Sequence, residues 1–185
     1  MKSRIRACKS GEQKKIIVYL SKECEVIVMF RKMRRFKQQI SEEECVRILK
    51  EQPRGVLSMI GDDGYPYGIP MDHLYMDDGH IYFHGAKEGH KIDAISRCDK
   101  VSYCVYDEGY RKKGEWALNI NSVVLFGRIH VVENEEKKKE ICTLLCRKFT
   151  DDEAYLQREL ENAFPRVNCL ELVPEHMTGK LVNEA

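Results

Sequence analysis

The chain has almost no net charge: 31 Lys and Arg stand against 30 Asp and Glu, a balance of +1. That excludes the broad basic field by which a nucleic-acid binder or polyanion receptor draws in its partner, so any basic site has to be local. The chain holds 8 cysteines in 185 residues but no CxxC pair, and they are scattered through a sequence of ordinary hydrophobicity without a signal-peptide pattern. Reduced thiols and a cytoplasmic setting fit this better than a disulfide scaffold. No apolar run is long enough to span a membrane. No GxGxxG fingerprint marks a nicotinamide domain, no HExxH pair marks a zinc helix, and no internal repeat stands out.

What is present is enough chain for one domain with a good core. Residues 1–15 are basic and without periodicity. Short apolar runs at 16–20 and 26–30 suit a hairpin, but there is no continuous apolar stretch and cleavage site of the targeting kind, so residues 1–28 read as an arm ahead of the domain. Ser41 followed by Glu44 is a capping-box pattern, and Cys45, Ile48 and Leu49 share one helical face that ends before Pro53. Extended runs follow at 55–60 and 65–76 around the turn Gly61-Asp62-Asp63-Gly64, then at 81–84 after Asp77-Asp78-Gly79, which predicts an antiparallel meander. Further strands are expected at 101–106, at 122–132 with Gly127 as a bulge or corner, and at 167–173 before Pro174. Asn134 starts a helix carrying Ile141, Leu144, Leu145 and Phe149, and a more polar helix is expected over 152–162. The count predicts a mainly β protein, a six-stranded antiparallel barrel with peripheral helices.

The stretch IYFHGAKEGHKIDAI, residues 81–95, carries the most chemistry. It reads as a strand ending at His84, a loop with Lys87, Gly89 and His90, and a helix opening near Lys91. Free N–H groups at a helix N-terminus beside cationic side chains are suited to a phosphate, although the residues alone leave a solvated charged loop open. His84 shares a strand face with Tyr82 and is either a structural residue or a group facing a ligand. In PYGIPMDHLY two prolines mark an edge strand, where backbone groups near Pro70, Met71 and Asp72 are free to bond a planar heterocycle. Asp72 and His73 with His80 and His84 lack a metal-ligand spacing, and no metal is expected. Cys142 and Cys146, one helical turn apart, read as packing residues.

Together MFRKMRR, GDDGYPYGIP, IYFHGAKEGHKIDAI, KVSYCV, SVVLFGRIHVV and EHMTGK resemble the pyridoxamine 5′-phosphate oxidase-like flavin-binding split β-barrels, and within them the nitroimidazole-resistance (Nim) proteins. The resemblance spans residues 29 to about 180, and Met29 matches the usual first residue of such proteins, which makes 1–28 an extension of a domain at 29–185. It implies a homodimer with FMN at the interface, each site built from both chains, with FAD as an alternative. By position, Lys87, Gly89, His90 and Lys91 match the phosphate loop, Pro70, Met71 and Asp72 the strand lining the isoalloxazine, and Ser122 and Val123 the strand near the ribityl chain. His84 matches a histidine beside the flavin and is the candidate catalytic proton donor. Asn121 departs from the pattern, since an arginine is expected there. The implied activity is FMN-dependent reduction of nitroaromatics such as 5-nitroimidazoles, with an electron donor the sequence does not name. The alternatives are a pyridoxamine-phosphate-oxidase-like enzyme, for which no second arginine cluster is seen, and a non-catalytic flavin or haem binder using His73, His84 or His176.

Overall fold

Ser41 accepts a hydrogen bond from the Glu44 N–H at 3.2 Å and so starts helix α1, Glu42–Glu51. Cys45, Ile48 and Leu49 on its inner face are buried, as their spacing predicts. The protein is described by a computed structural model over residues 30–183; the arm and hairpin expected at 1–28 lie outside the described residues. All elements belong to one compact unit, Arg35–Ala185. After α1 come β1 (Arg54–Ile60), β2 (Pro66–Asp72), β3 (Leu74–Tyr75), β4 (Ile81–Ala86), α2 (His90–Arg97), β5 (Lys100–Tyr106), β6 (Tyr110–Arg111), β7 (Leu118–Val131), α3 (Glu135–Arg147), α4 (Glu153–Asn162) and β8 (Val167–Asn183). Among the described residues no helix is long and apolar enough to cross a membrane.

The strands form one antiparallel sheet in the order β2-β1-β5-β7-β8-β4-β3, with β6 attached to β7. Its two outermost strands, β2 and β3, are consecutive in the chain and separated only by His73. One residue cannot bridge a flat sheet of seven strands, so the sheet curls until its edges meet at that residue, leaving a split between β2 and β4. The result is an antiparallel split half-barrel.

Three expectations need correction. The run 65–76 is not one strand: both expected hairpins form, β1 with β2 and β3 with β4, but the run breaks between them, so β2 and β3 lie at opposite ends of the strand order instead of forming the middle strand of a meander. The cause is His73, whose ring is drawn into the core and whose N–H turns to the Pro53 carbonyl at 3.3 Å. Strand β4 passes His84 and continues to Ala86. Strand β8 does not stop before Pro174 but runs to Asn183, because Pro174 lies opposite Gly127, where the β7–β8 register shifts and a missing ladder N–H is tolerated. A Cβ on Gly127 would fall 2.2 Å from the Val173 carbonyl oxygen, so the corner needs glycine. The segment Glu175 to Lys180, turn-like in composition, is therefore strand.

The core inside the curl is built by α1 and by alternate residues of the strands, including Leu57, Met59, Phe83, Tyr103, Leu125 and Leu170. A second cluster of Tyr82, Val132, Ile141, Leu145 and Cys169 fixes α3 against the outside of the sheet. Strand β4 thus uses both faces, Ile81 and Phe83 inward and Tyr82 outward, which puts His84 on the same outer side as Tyr82.

Candidate functional site

The split is held at one end by a buried knot. A Cβ on Gly55 would lie 2.6 Å from the Tyr103 ring, so glycine in β1 is what lets the Tyr103 phenol pass beneath that strand to β2. There the hydroxyl lies 3.0 Å from the Met71 carbonyl oxygen and 2.9 Å from His73 Nδ1. His73 Nε2 donates to the Leu49 carbonyl at 2.7 Å, which puts the proton on Nε2 and leaves Nδ1 to accept from Tyr103. Lys148 Nζ closes the same end by donating to the carbonyls of Gln52 and His73 at 2.7 and 3.0 Å. Burial, helped by the Lys148 charge, lowers the His73 pKa to about 4.

The residues next to this knot face the other way. Asp72 ends β2, accepts from Arg54 Nε at 2.6 Å, and with His84 borders two cavities. The smaller, about 340 Å³, is lined by Arg54, Pro70, Met71, Asp72 and His84. The larger, about 480 Å³, extends between α3 and α4, with Leu145, Phe149, Leu156 and Phe164 among its walls and Asp152 and Glu159 on its lining. The His84 ring is open to these spaces but flanked by protein, and the loss of water lowers its pKa; Asp72 opposes that shift and Lys91 adds to it.

The basic loop divides. Lys91 folds back over β4: a Cβ on Gly85 would fall 2.6 Å from its Nζ, which also lies 3.6 Å from Met71 Sδ. Among the described residues no carboxylate pairs with Lys91, and burial lowers its pKa. Gly89 caps α2 with φ +116 and no side-chain hydrogen bond, and open space lies where its Cβ would be, so the first turn of the helix presents free N–H groups. His90 instead stacks on Tyr67, centroids 4.1 Å apart, with Nε2 3.5 Å from Asp62. Lys87 is exposed and acts on Glu135 at the start of α3. Lys91, Met71, Asp72 and His84 come together at the split; Lys87 and His90 point elsewhere.

Ser122 and Val123 are not near this group within one chain. Strands β5 and β1 separate Ser122 from Asp72, three strand spacings or roughly 14 Å. Val123 is fully buried, paired on both sides within the sheet, and the Ser122 hydroxyl makes only a 3.5 Å contact with the Lys180 carbonyl. Asn121, where an arginine was expected, ties down a loop: its backbone N–H and Nδ2 bond the two Asp107 carboxylate oxygens at 2.9 and 2.8 Å.

Sequence reasoning missed Arg54, Tyr103 and the α3–α4 wall. Arg54 had a usable signal, since it directly follows the predicted helix stop at Pro53 and opens a strand. The wall residues had none, because helical periodicity gives a buried face without saying what that face encloses. The four-residue metal set is dispersed: His73 is in the core, His84 at the cavities and His80 beside Glu171. With both ring nitrogens engaged, His73 is also no haem ligand. Cys142 lies 3.7 Å from Cys169, while Cys146 lines the larger cavity.

The model of the pyridoxamine 5′-phosphate oxidase family matches residues 41–181. None of the curated proteins matches the chain. Among solved structures it is similar to a protein assigned to 5-nitroimidazole antibiotic resistance from Bacteroides thetaiotaomicron, at 20% identity and TM-score 0.67 over 78% of this chain and 87% of that one. It is similar to an FAD-binding protein from Mesorhizobium loti, at 22% identity and TM-score 0.57 over 78% and 97% of the two chains. A third is an FAD- and haem-binding protein from Mycobacterium smegmatis, at 19% identity and TM-score 0.63 over 80% and 74%. At such identities the likeness is one of fold, but the family match covers most of the chain, and the protein belongs to the pyridoxamine 5′-phosphate oxidase family.

Proposed function

We propose that the protein is a flavin-dependent oxidoreductase that seats FMN at the split and reduces nitroaromatic compounds of the 5-nitroimidazole kind. The observation that carries this reading is Lys91: a half-buried ammonium lying over Gly85, beside the glycine-capped start of α2, with no carboxylate paired to it among the described residues. A buried cation without a counter-ion is costly, and the phosphate of FMN supplies one. The family match and the flavin-binding proteins of the same fold support the choice of ligand. FAD is compatible with the same cradle, since gripping the first phosphate leaves the rest of a dinucleotide in solvent.

On this reading Lys91 and the first turn of α2 bind the phosphate, and the exposed edge of β2 at Pro70 to Asp72 lies along the ring. FMN, when bound, supplies hydride equivalents from its reduced ring to the nitro group. His84 holds the proton that nitro reduction consumes. Its lowered pKa keeps it a proton donor mainly on the acid side of its ordinary value of 6.5, so turnover falls as pH rises through the acid range toward 6.5 and is low by neutrality. The apolar wall of the larger cavity excludes water and receives the aromatic ring.

Homodimerisation belongs to the same proposal. The row Pro70, Val56, Cys104, Val124 and Thr178 crosses five strands on the outer face without a charge, next to Tyr106, which is 59% exposed. An uncharged sheet face flanked by an exposed aromatic suits a second copy, and the separation of Ser122 from Asp72 within one chain is removed if the partner brings its own Ser122 to the ring. A pyridoxamine-phosphate substrate is less well served: Arg54 is the one arginine lining either cavity among the described residues, and it is paired with Asp72.

The test is to load the protein with FMN, reduce it with dithionite under anaerobic conditions and add a 5-nitroimidazole. Reoxidation of the flavin at a rate lowered by His84→Ala, with FMN still bound, is expected. Protein that stays reduced in excess nitroimidazole removes the nitroreductase reading.

A further inference from the structure

Strand pairing sets Tyr82 of β4, Glu171 of β8 and His130 of β7 in one cross-strand row beneath the start of α3. The turn before β4 adds Asp78 and His80. Glu171 Oε1 accepts from His80 Nδ1 at 2.6 Å and lies 2.9 Å from the Tyr82 hydroxyl, while Oε2 accepts from His130 Nε2 at 2.9 Å. The same Tyr82 hydroxyl lies 2.7 Å from Asp78 Oδ2, so one proton is shared between two carboxylates. Ligand atoms of Asp78, His80 and Glu171 all lie within 4.8 Å of one another.

Charge is not balanced at this point. Asp78 also accepts from the His80 N–H at 3.0 Å, and as ordinary carboxylic acids Asp78 and Glu171 both carry a negative charge at neutral pH. The nearest ammonium, Lys137, is 4.0 Å from Asp78 and 3.1 Å from a third carboxylate, Glu140, so its charge is divided. Tyr82 is 2% exposed, and its ring is packed in the cluster under α3, which fixes the hydroxyl that holds the two acids together.

We propose that Asp78, His80 and Glu171 form a binding site for one divalent transition-metal ion, with His130 as the residue that orients Glu171. One imidazole and two carboxylates suit Zn²⁺ and its neighbours better than Mg²⁺ or Ca²⁺, which take more oxygen ligands. Metal–ligand bonds of about 2.1 Å set tetrahedral ligand atoms roughly 3.3 Å apart, a spacing these three side chains reach by small rotations, with water in the fourth position. His130 on the far oxygen of Glu171 is the outer hydrogen-bond partner such ligands usually have. The site is separate from the flavin seat: from His80 to His84 is about 13 Å along an extended chain.

The experiment uses the full chain, stripped with EDTA and titrated with ZnCl₂ by calorimetry and with CoCl₂ by absorption. The wild type is expected to bind one ion per chain, and the Co²⁺ form to lack a thiolate charge-transfer band. Glu171→Gln, which still accepts the Tyr82 hydrogen bond and so keeps the fold, and His80→Asn should each weaken binding at least ~10-fold, and His130→Gln up to ~10-fold. Lys137→Gln should not weaken it. Absence of saturable binding, wild-type affinity in Glu171→Gln or His80→Asn, or a thiolate band that places the ion on cysteine overturns the proposal.

Discussion

His73 and His84 flank the same split, and burial lowers the pKa of both, yet one closes the barrel and the other faces open space. His73 is 0% exposed and has a partner on each ring nitrogen. His84 borders two cavities, with Asp72 and Lys91 as its charged surroundings. A lowered histidine pKa therefore says little about function by itself. What separates the two is whether the ring's hydrogen-bonding capacity is already spent inside the protein.

The largest expected effect tests the closed side. His73→Ala should destabilise the fold by about 2–4 kcal/mol, because it opens a cavity and leaves the Leu49 carbonyl without its buried donor, whereas His84→Ala should change stability by less than about 0.5 kcal/mol. Urea unfolding of the two variants makes the comparison, and equal losses would erase it. Acid provides a second test. An unfolded chain protonates His73 near 6.5, while the native state resists until about 4. Stability from this residue is thus present above pH 6.5, is lost as pH falls toward 4, and levels off below that. The full loss is roughly 3 kcal/mol, and His73→Gln should remove this limb from the pH–stability curve.

A smaller effect sharpens the open side. Asp72→Asn removes the charge that raises the His84 pKa, so the His84 titration followed by NMR, and any turnover that depends on it, should move to lower pH. An unmoved titration would mean that Asp72 is screened from the ring.

Much of the fold was legible in local chemistry. Ser41 and Asn134 cap the helices they were expected to cap, the polar helix expected over 152–162 forms at Glu153–Asn162, the β7–β8 register shifts at Gly127, and the alternation in β4 separates Phe83 from Tyr82 and His84 as its period demands. What local chemistry does not contain is pairing across the chain. The curl that makes β2 and β3 the two edges of one sheet turns His73 inward, and no spacing in PYGIPMDHLY states that. The same holds for Glu171, which meets His80 only because β8 lies against β4. The candidate site was legible in part: the cluster of cationic side chains in the loop is visible in the sequence, but only the structure separates Lys91, folded over Gly85, from His90, stacked on Tyr67.

That separation is the centre of the account, and FMN affinity tests it most directly. Titration of the apoprotein, followed by quenching of flavin fluorescence, should give one FMN per chain. Lys91→Met should weaken binding roughly 10- to 100-fold, the value of about 1.5–3 kcal/mol for a hydrogen bond to a charged group, while Lys87→Ala should change it less than about 3-fold, as expected of an exposed charge. Binding left intact by Lys91→Met, or lost equally in Lys87→Ala, would contradict the assignment of the phosphate to Lys91.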